Sequence, residues 1–245
     1  MLLQLNSNNK GHTMIMDKGV GVAQLQDTLS YAKQHIDFLK YGFGTSCLYD
    51  PHQLMLKNKL LKKNKIISFP GGTLFEAAYI KKIVDSFFYD VTKYQFTGVE
   101  ISHGTIDVLD ADRYKYIRQA KQQKLVVFSE IGKKTETGFK NLIDSVKADL
   151  DAGSDYVILE GRESGTSGLY SDDGSIADDV LNIFDKEQDL LPNIIWEAPS
   201  KEQQILLLRK FGPNVNLGNI AYNDILSLAA LRKGLRSDTF LNFLA

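Results

Sequence analysis

Short apolar runs alternate with longer stretches of helical spacing along almost the whole chain. Eight short runs, rich in Val, Ile, Leu and Phe, are typical of strands buried in a parallel sheet. These strands are predicted at Thr13–Met16, Ile36–Lys40, Ile66–Phe69, Gly98–Ser102, the run that begins at Leu125, Tyr156–Glu160, Asn193–Glu197 and Val215–Leu217. Between them, apolar residues recur at the spacing of an amphipathic helix. The predicted helices are Ala23–His35, Pro51–Lys63, Thr73–Lys93, Ala111–Lys121, Gly138–Ala152, Ile176–Gln188, Glu202–Phe211 and Asn223–Leu235.

Strands that alternate with helices in this way form a parallel sheet with the helices on its outside. No linker, compositional break or low-complexity run divides the eight units, and a chain of 245 residues is a common length for one closed barrel. The sequence therefore predicts an α/β protein in which residues 1–245 form a single-domain (β/α)8 TIM barrel. A doubly wound open sheet is the rival architecture, but Asp17–Gly21 does not match the glycine-rich dinucleotide fingerprint that such folds often carry.

Four of the predicted strands end in a glutamate. Glu100, Glu130 and Glu160 are spaced 30 residues apart, the length of one strand–helix unit, and Glu197 ends a later strand. Because the carboxyl ends of barrel strands meet at one mouth, these side chains are expected to converge. Carboxylate oxygens suit a hard divalent cation, so Glu100, Glu130 and Glu160 are predicted ligands of Mg²⁺. The alternative is a buried ionic network with lysine or arginine partners.

Cations also gather at the predicted strand ends. They are Lys18, Lys40, Lys133, Lys134 and Arg162. An anionic substrate would account for them, since Arg binds carboxylate or phosphate through two parallel hydrogen bonds. A lysine held out of water beside other cations can also serve as a general acid or base.

Glycine-rich turns at two of the strand ends suggest a phosphate site. Gly71 and Gly72 precede a predicted helix, and Asn216, Gly218 and Asn219 are expected after the last strand. Barrels often bind phosphate there through backbone N–H groups.

Two loop features complete the sequence-based prediction of the mouth. Thr73 is predicted to cap the helix after the third strand, with Glu76 completing a capping box. The long loop after the sixth strand is rich in Gly, Ser and Asp up to about Asp173, and is predicted to be a mobile lid.

The overall composition excludes several function classes. The net charge of −1 gives no basic excess for nucleic acid or a membrane surface. The single cysteine, Cys47, cannot form an intramolecular disulfide, and no apolar run approaches the roughly 20 residues needed to cross a bilayer. Met1–Leu5 is too short for the apolar core of a signal peptide. A cytoplasmic enzyme is expected, and barrel enzymes often form symmetric homo-oligomers.

The strand-end motifs, taken together and in order, resemble the phosphosulfolactate synthase family. The matching segments are Met16–Gly19, Lys40–Thr45, Pro70–Glu76, Glu100–Gly104, Ser129–Lys134, Arg162–Gly165, Glu197–Pro199, Val215–Ile220 and Gly234–Thr239. The resemblance implies a barrel that adds sulfite to phosphoenolpyruvate with Mg²⁺, giving (2R)-O-phospho-3-sulfolactate, the first committed step of coenzyme M biosynthesis in archaea that make it. In that reaction Lys133 is the candidate proton donor, and Arg162 and Lys18 are candidates to hold sulfite or phosphate.

Two other interpretations remain open from the sequence. One is a divergent member of the same barrel family, such as a heat-stress-associated relative, with a different enolate-type reaction or no catalysis. The other is another metal-dependent barrel lyase or isomerase that works through an enolate, with the same glutamates and Lys133 but a different anion pocket. An intact charged mouth disfavours a purely structural role, because unpaired buried charges lower stability.

Overall fold

The computed structural model describes residues 11–132, 141–161, 176 and 178–244. Within them, eight parallel strands form one sheet in the order β3-β2-β1-β8-β7-β6-β5-β4. The strands are β1 Thr13–Asp17, β2 Phe38–Tyr41, β3 Ile67–Pro70, β4 Gly98–Ile101, β5 Val126–Ile131, β6 Tyr156–Leu159, β7 Ile194–Glu197 and β8 Asn216–Ile220. The predicted (β/α)8 barrel is confirmed.

Helices follow the strands and cover the outside of the barrel. In the described residues they are α1 Val22–Ala32, α2 Pro51–Lys63, α3 Thr73–Ile80, α4 Val84–Lys93, α5 Asp110–Gln122, α6 Leu142–Ala152, α7 Asp178–Ile183, α8 Lys201–Phe211, α9 Ile225–Arg232 and α10 Phe240–Phe243. Short 3-10 turns lie at Lys33–His35, Gly42–Cys47, Gln188–Asn193 and Tyr222–Asp224. No helix in this part of the chain has the length and apolar character that a membrane span requires.

The barrel nearly closes between β3 and β4, the two ends of the sheet order. Thr97, just before β4, donates its backbone N–H to the Ser68 carbonyl at 3.1 Å. Its side-chain Oγ1 accepts from the Ser68 N–H at 3.1 Å, in place of a second ladder bond. A Cβ on Gly98 would lie only 2.9 Å from Ile67 Cγ2, so glycine at the start of β4 permits this close approach.

The barrel interior contains an apolar layer below a charged layer. The apolar layer is formed by Met14, Phe38, Phe69, Phe128, Ile158 and Ile195. Because side chains alternate along a strand, the residue two positions after an inward apolar side chain also points inward. Lys40 follows Phe38 in this way, Glu130 follows Phe128, and Glu197 follows Ile195. The position of the apolar layer along each strand therefore shows which charged side chains point into the mouth.

The predicted helix Thr73–Lys93 is two helices, α3 and α4. Lys82 adopts a left-handed backbone with φ 59°, and the Ile83 N–H donates to the Ala78 carbonyl at 2.9 Å. This bond ends α3 without the glycine that usually follows the last turn of a helix. The sequence pattern therefore gave no sign of the break between α3 and α4. The helix predicted at Ile176–Gln188 is also shorter, since α7 ends at Ile183.

Candidate active site at the carboxyl ends of the strands

The centre of the barrel mouth is the Lys40 ammonium, which three glutamates surround. Its Nζ lies 2.9 Å from Glu130 Oε2, 3.0 Å from Glu197 Oε1 and 3.1 Å from Glu100 Oε2. The four residues come from β2, β4, β5 and β7, and their side chains are between 1% and 13% exposed. One buried cation therefore holds three carboxylates together.

The burial and charges of this cluster shift the pKa values of its members. Burial alone would lower the pKa of Lys40, but the three carboxylates raise it well above its ordinary value. Burial raises the pKa of Glu100 and, less strongly, that of Glu197. Burial alone would raise the pKa of Glu130 too, but the Lys40 charge and its hydrogen bond bring it below the ordinary value. Lys40 is therefore firmly cationic, while the pKa is raised for Glu100 and Glu197 and lowered for Glu130.

A cavity of about 390 Å³ lies over this cluster. It is lined by Met16, Lys40, Gly42, Phe43, Gly71, Gly72, Thr73, Glu76, Glu100, Ser102, Gly104, Thr105, Glu130, Glu160, Glu197 and Asn219. Lys40 is the one Lys or Arg among these described lining residues, against five glutamates. The cavity therefore favours a cation, or a small substrate that arrives together with one.

Glu76 anchors the loop after β4 at the edge of this cavity. Its Oε1 accepts from Ser102 Oγ at 2.6 Å and from the Gly104 N–H at 2.9 Å, and its Oε2 accepts from the Thr105 N–H at 3.1 Å. The predicted capping box is therefore wrong: α3 has no side-chain cap, and Glu76 is turned inward and buried. The spacing of Glu76 from Thr73 is typical of a capping box, but the Glu76 carboxylate instead binds the loop after β4.

The glycines of the Gly71-Gly72 turn permit close approach of neighbouring strands. A Cβ on Gly71 would lie 2.8 Å from the Tyr41 carbonyl oxygen, and one on Gly72 would overlap the Ser102 side chain and lie 2.7 Å from Glu100 Oε1. The Gly71 N–H already donates to the Tyr41 carbonyl at 2.9 Å. Both glycines line the cavity as expected, and their binding of phosphate stays a prediction.

The residues of β8 that were predicted as a phosphate turn divide between the two ends of the barrel. Asn216 is the first residue of β8, and its amide group is bonded to the Ile194 carbonyl at 2.9 Å and the His12 N–H at 2.8 Å. Its expected position at the mouth is wrong, because β8 begins and ends later than the apolar pattern indicated. Gly218 lies inside the barrel, where a Cβ would overlap Met14.

Asn219 has the position that a substrate-binding residue requires. It lines the cavity, is 7% exposed and has a left-handed backbone with φ 57°, which Asn tolerates well. Its Oδ1 is buried without a hydrogen-bond partner in the described part of the structure. Buried polar atoms in proteins usually have a hydrogen-bond partner, so this oxygen is a candidate to bind a ligand.

Lys18 lies on the turn after β1, and a buried network fixes the backbone of that turn. Asp17 Oδ1 accepts from the Gly19 and Val20 N–H groups at 2.9 and 3.1 Å. Its Oδ2 lies 2.6 Å from Lys57 Nζ and 3.0 Å from the Tyr222 hydroxyl. The turn that carries Lys18 is thus tied to α2 and to the turn after β8.

Two predicted site residues, Lys133 and Arg162, lie outside the described residues, as do Lys134 and the loop predicted to be a lid. The described chain leads to them directly: β5 ends at Ile131 and Gly161 follows β6 closely. The Gly161 N–H donates to Glu197 Oε2 at 3.1 Å, at the carboxylate cluster.

The three predicted metal ligands differ in what their oxygens contact. Glu100 and Glu130 each direct an oxygen at Lys40. Glu130 Oε1 and Glu160 Oε2 lie 3.4 and 3.8 Å from the point that a Cβ on Gly104 would occupy. The described residues contain no group of three His, Cys, Asp or Glu side chains arranged as a metal site. Carboxylate oxygens beside the cavity are the kind of ligand that a hard cation prefers, with substrate and water completing its shell, and Mg²⁺ stays a prediction.

The sequence-based prediction assigned Glu197 and Lys40 only in part. It placed Glu197 with the other three glutamates at the mouth but gave it no role as a ligand. It gave Lys40 to an anionic substrate, with a buried ionic network to the glutamates as the alternative, and the structure shows that network around the Lys40 ammonium. Which glutamates contact Lys40 follows only from the tertiary structure.

The barrel fold and this buried, carboxylate-rich mouth define a TIM barrel with a candidate active site at the carboxyl ends of its strands. Comparison with known proteins gives the family. Residues 4–238 match the family model of (2R)-phospho-3-sulfolactate synthase (ComA), and the chain belongs to this family. It is 41% identical over 237 residues to phosphosulfolactate synthase of Methanocaldococcus jannaschii, covering 94% of each chain.

Other similarities agree with this assignment. The chain is 38% identical over 237 residues to phosphosulfolactate synthase of Methanothermobacter thermautotrophicus, covering 94% of this chain and 91% of the relative. Among solved structures, the YdjI aldolase of Escherichia coli K12 superposes with a TM-score of 0.59 at 8% identity, covering 93% of this chain and 82% of the aldolase. The aldolase likeness is one of fold alone. The family relatives show that the chain is an enzyme of the phosphosulfolactate synthase type.

Proposed function

We propose that this enzyme adds sulfite to phosphoenolpyruvate, giving (2R)-O-phospho-3-sulfolactate, and that it requires Mg²⁺. The observation that carries the proposal is the excess of glutamates over Lys and Arg among the described residues that line the mouth of a barrel whose family is phosphosulfolactate synthase. That excess supports the need for a divalent cation and for a small substrate with oxygen groups that can share it.

The charge balance of the cavity supports the metal. Phosphoenolpyruvate is a multiply charged anion, and two unit charges of like sign at 4 Å repel by about 4 kcal/mol at an effective dielectric constant near 20. Five glutamates and one lysine are among the described residues that line the cavity, so a cation between the glutamates and the anion would offset their repulsion. Glu130 and Glu160 would hold that cation on the cavity side, with Glu100 beside Lys40. When bound, Mg²⁺ would supply positive charge at the substrate carboxylate.

The proposed reaction moves two electron pairs and one proton. The sulfur lone pair of sulfite forms a bond to C3 of phosphoenolpyruvate, and the C2–C3 π electrons move toward C2 and the carboxylate. A proton delivered to C2 completes the product, and the phosphate ester is retained. No electrons are gained or lost overall, so the reaction needs no redox cofactor.

Residues of the chain have distinct proposed roles in this reaction. Lys133, shortly after the end of β5, donates the proton to C2. Arg162 and Lys18 hold sulfite or the substrate phosphate. Asn219 is proposed to bind a substrate oxygen or a water molecule at the cavity wall, since its buried amide oxygen has no hydrogen-bond partner in the described residues. Gly71, Gly72 and Gly218 give the close approach that the surrounding groups need.

Thermal unfolding tests whether the mouth binds metal and substrate together. A ligand that binds only the folded state raises the melting temperature. Mg²⁺ with phosphoenolpyruvate is expected to raise the melting temperature of the wild type and of the exposed control Glu202→Gln, but not that of Glu130→Gln. An absent shift in the wild type at millimolar ligand would contradict the proposal.

A pair of adjacent lysines tests the proton donor. Lys133→Ala is expected to lose product formation, whereas Lys134→Ala keeps it, because only Lys133 is proposed to reach C2. If Lys133→Ala keeps wild-type activity, the proton donor is another group. The cytoplasmic location, the homo-oligomer and the link to coenzyme M biosynthesis stay predictions.

A further inference from the structure

Phe43 is an exposed aromatic residue at the rim of the cavity. It is 55% exposed, lines the cavity, and has a left-handed backbone with φ 54° and ψ 28°. A bulky residue rarely adopts this conformation, and an exposed aromatic ring gains little from burial. Neither property favours folding, so the position of the ring needs another explanation.

The surrounding chain holds Phe43 in this conformation. Gly44 also has a left-handed backbone, with φ 66°, and a Cβ there would lie 3.4 Å from the Leu74 side chain. Thr45 donates its hydroxyl to the Gly42 carbonyl at 2.8 Å, which closes the turn around Phe43. The turn therefore presents the ring at the mouth as a fixed feature.

The ring of Phe43 faces Lys18 from the neighbouring strand end. Lys18 Nζ lies over the ring, 5.8 Å from its centroid, within the range of a cation–π interaction. Lys18 is not among the described residues that line the cavity, whereas Phe43, whose ring lies under its ammonium, is one of them. The backbone of Lys18 is fixed by the bonds from Gly19 and Val20 to Asp17, but its side chain is long and exposed.

We propose that Phe43 is a positioning residue: its ring face holds the Lys18 ammonium at the rim, where it meets the anionic group of the incoming substrate. This inference rests on the proposed function for the identity of the substrate. A ring that reduces the freedom of the ammonium lowers the entropy lost when the anion binds. The role requires an aromatic face, and apolar bulk alone does not fulfil it.

Substitutions that separate the aromatic face from apolar bulk test the proposal. Phe43→Tyr and Phe43→Trp keep the face, and their KM for phosphoenolpyruvate is expected to stay within about twofold of wild type. Phe43→Leu keeps apolar bulk and Phe43→Gly removes both bulk and backbone strain; each is expected to raise KM about two- to fivefold. Thermal stability is expected to be unchanged in Phe43→Leu and unchanged or higher in Phe43→Gly. Leu48→Ala is the control, since Leu48 is 83% exposed and lies outside the cavity lining.

A double-mutant cycle with Lys18→Met makes the test specific. If the ring acts through Lys18, Phe43→Leu has no further effect on KM in the Lys18→Met background. A full effect in that background would overturn the proposal, and so would equal KM values for Phe43→Leu and Phe43→Tyr.

A separate readout keeps this inference distinct from the proposed function. The Kd of inorganic phosphate, measured by calorimetry with Mg²⁺ present, is expected to follow the same order across the variants. A wild type that forms no product but shows this order would contradict the proposed reaction and support the positioning role. An active wild type whose variants show no such order in KM or Kd would contradict the positioning role alone.

Discussion

Lys57 Nζ lies 2.6 Å from Asp17 Oδ2, and both side chains are 0% exposed. The pair joins α2 to the end of β1 and is surrounded by hydroxyl groups of Tyr49 and Tyr222. Lys57 also lies over the ring of Tyr49, 4.1 Å from its centroid. An ion pair that is fully buried and fully bonded fixes local geometry, and here it fixes the turn that presents Lys18.

Lys57→Met is expected to lower the free energy of unfolding by about 3–5 kcal/mol, because it leaves the Asp17 carboxylate buried without its cation. Lys59→Met is the matched control, since Lys59 is exposed on the same helix and is expected to change stability by less than about 0.5 kcal/mol. Urea unfolding of both variants measures the difference. Equal stabilities would contradict the buried pair.

The stability that Asp17 contributes is expected to depend on pH. Burial alone would raise the pKa of Asp17, but Lys57 and the surrounding donors lower it below the ordinary value of 3.8. A folded-state pKa below the unfolded one means that the contribution is present above about pH 4 and is lost as the pH falls through the folded value. The difference in unfolding free energy between wild type and Asp17→Asn should therefore shrink from about pH 7 to about pH 3. A difference that stays constant over that range would contradict the assignment.

The sequence predicted the fold more fully than the site. Apolar period and strand spacing are local properties, and they gave all eight strands within a few residues. They also placed Glu100, Glu130 and Glu160 at one mouth, because strand direction in a parallel barrel is uniform. They misplaced Asn216, since a shift of a few residues in β8 moves a side chain from one end of the barrel toward the other.

The partners of a polar side chain depend on contacts distant in sequence, so they could not be predicted. Glu76 lies three residues after Thr73, a spacing typical of a capping box, yet it bonds a loop 26 to 29 residues away. Lys40 and Glu197 are 157 residues apart, and nothing in either segment specifies the other. Residue type indicated that charges gather at the mouth, and only the structure shows how they pair.

Glu76→Ala is expected to lower the free energy of unfolding by about 1–3 kcal/mol, because it leaves the hydroxyl of Ser102 and two backbone N–H groups without their acceptor. It should also lower kcat/KM by about tenfold to a hundredfold, since the loop that it anchors lines the cavity. The exposed Glu202→Ala should change neither quantity. Steady-state kinetics that match the wild type in Glu76→Ala would show that the loop is positioned by other groups.

Gly72→Ala is expected to disrupt the mouth, because the new Cβ would overlap Ser102 and lie 2.7 Å from Glu100 Oε1. Both neighbours are buried and have little room to move, so overpacking should lower stability by about 1–3 kcal/mol and reduce activity strongly. Gly21→Ala is the matched control, since no heavy atom lies within 4 Å of its Cβ position. Thermal unfolding and activity of the two variants give the comparison, and a fully active Gly72→Ala enzyme would be inconsistent with this geometry.

The most direct measurement is ³¹P NMR and mass spectrometry of the wild-type enzyme with phosphoenolpyruvate, sulfite and Mg²⁺. The account predicts that phosphoenolpyruvate is converted to one new phosphate ester with the mass of phosphosulfolactate, and that omitting sulfite or adding a chelator abolishes it. A folded enzyme that leaves phosphoenolpyruvate unchanged, or that consumes it equally well without sulfite, would contradict the account.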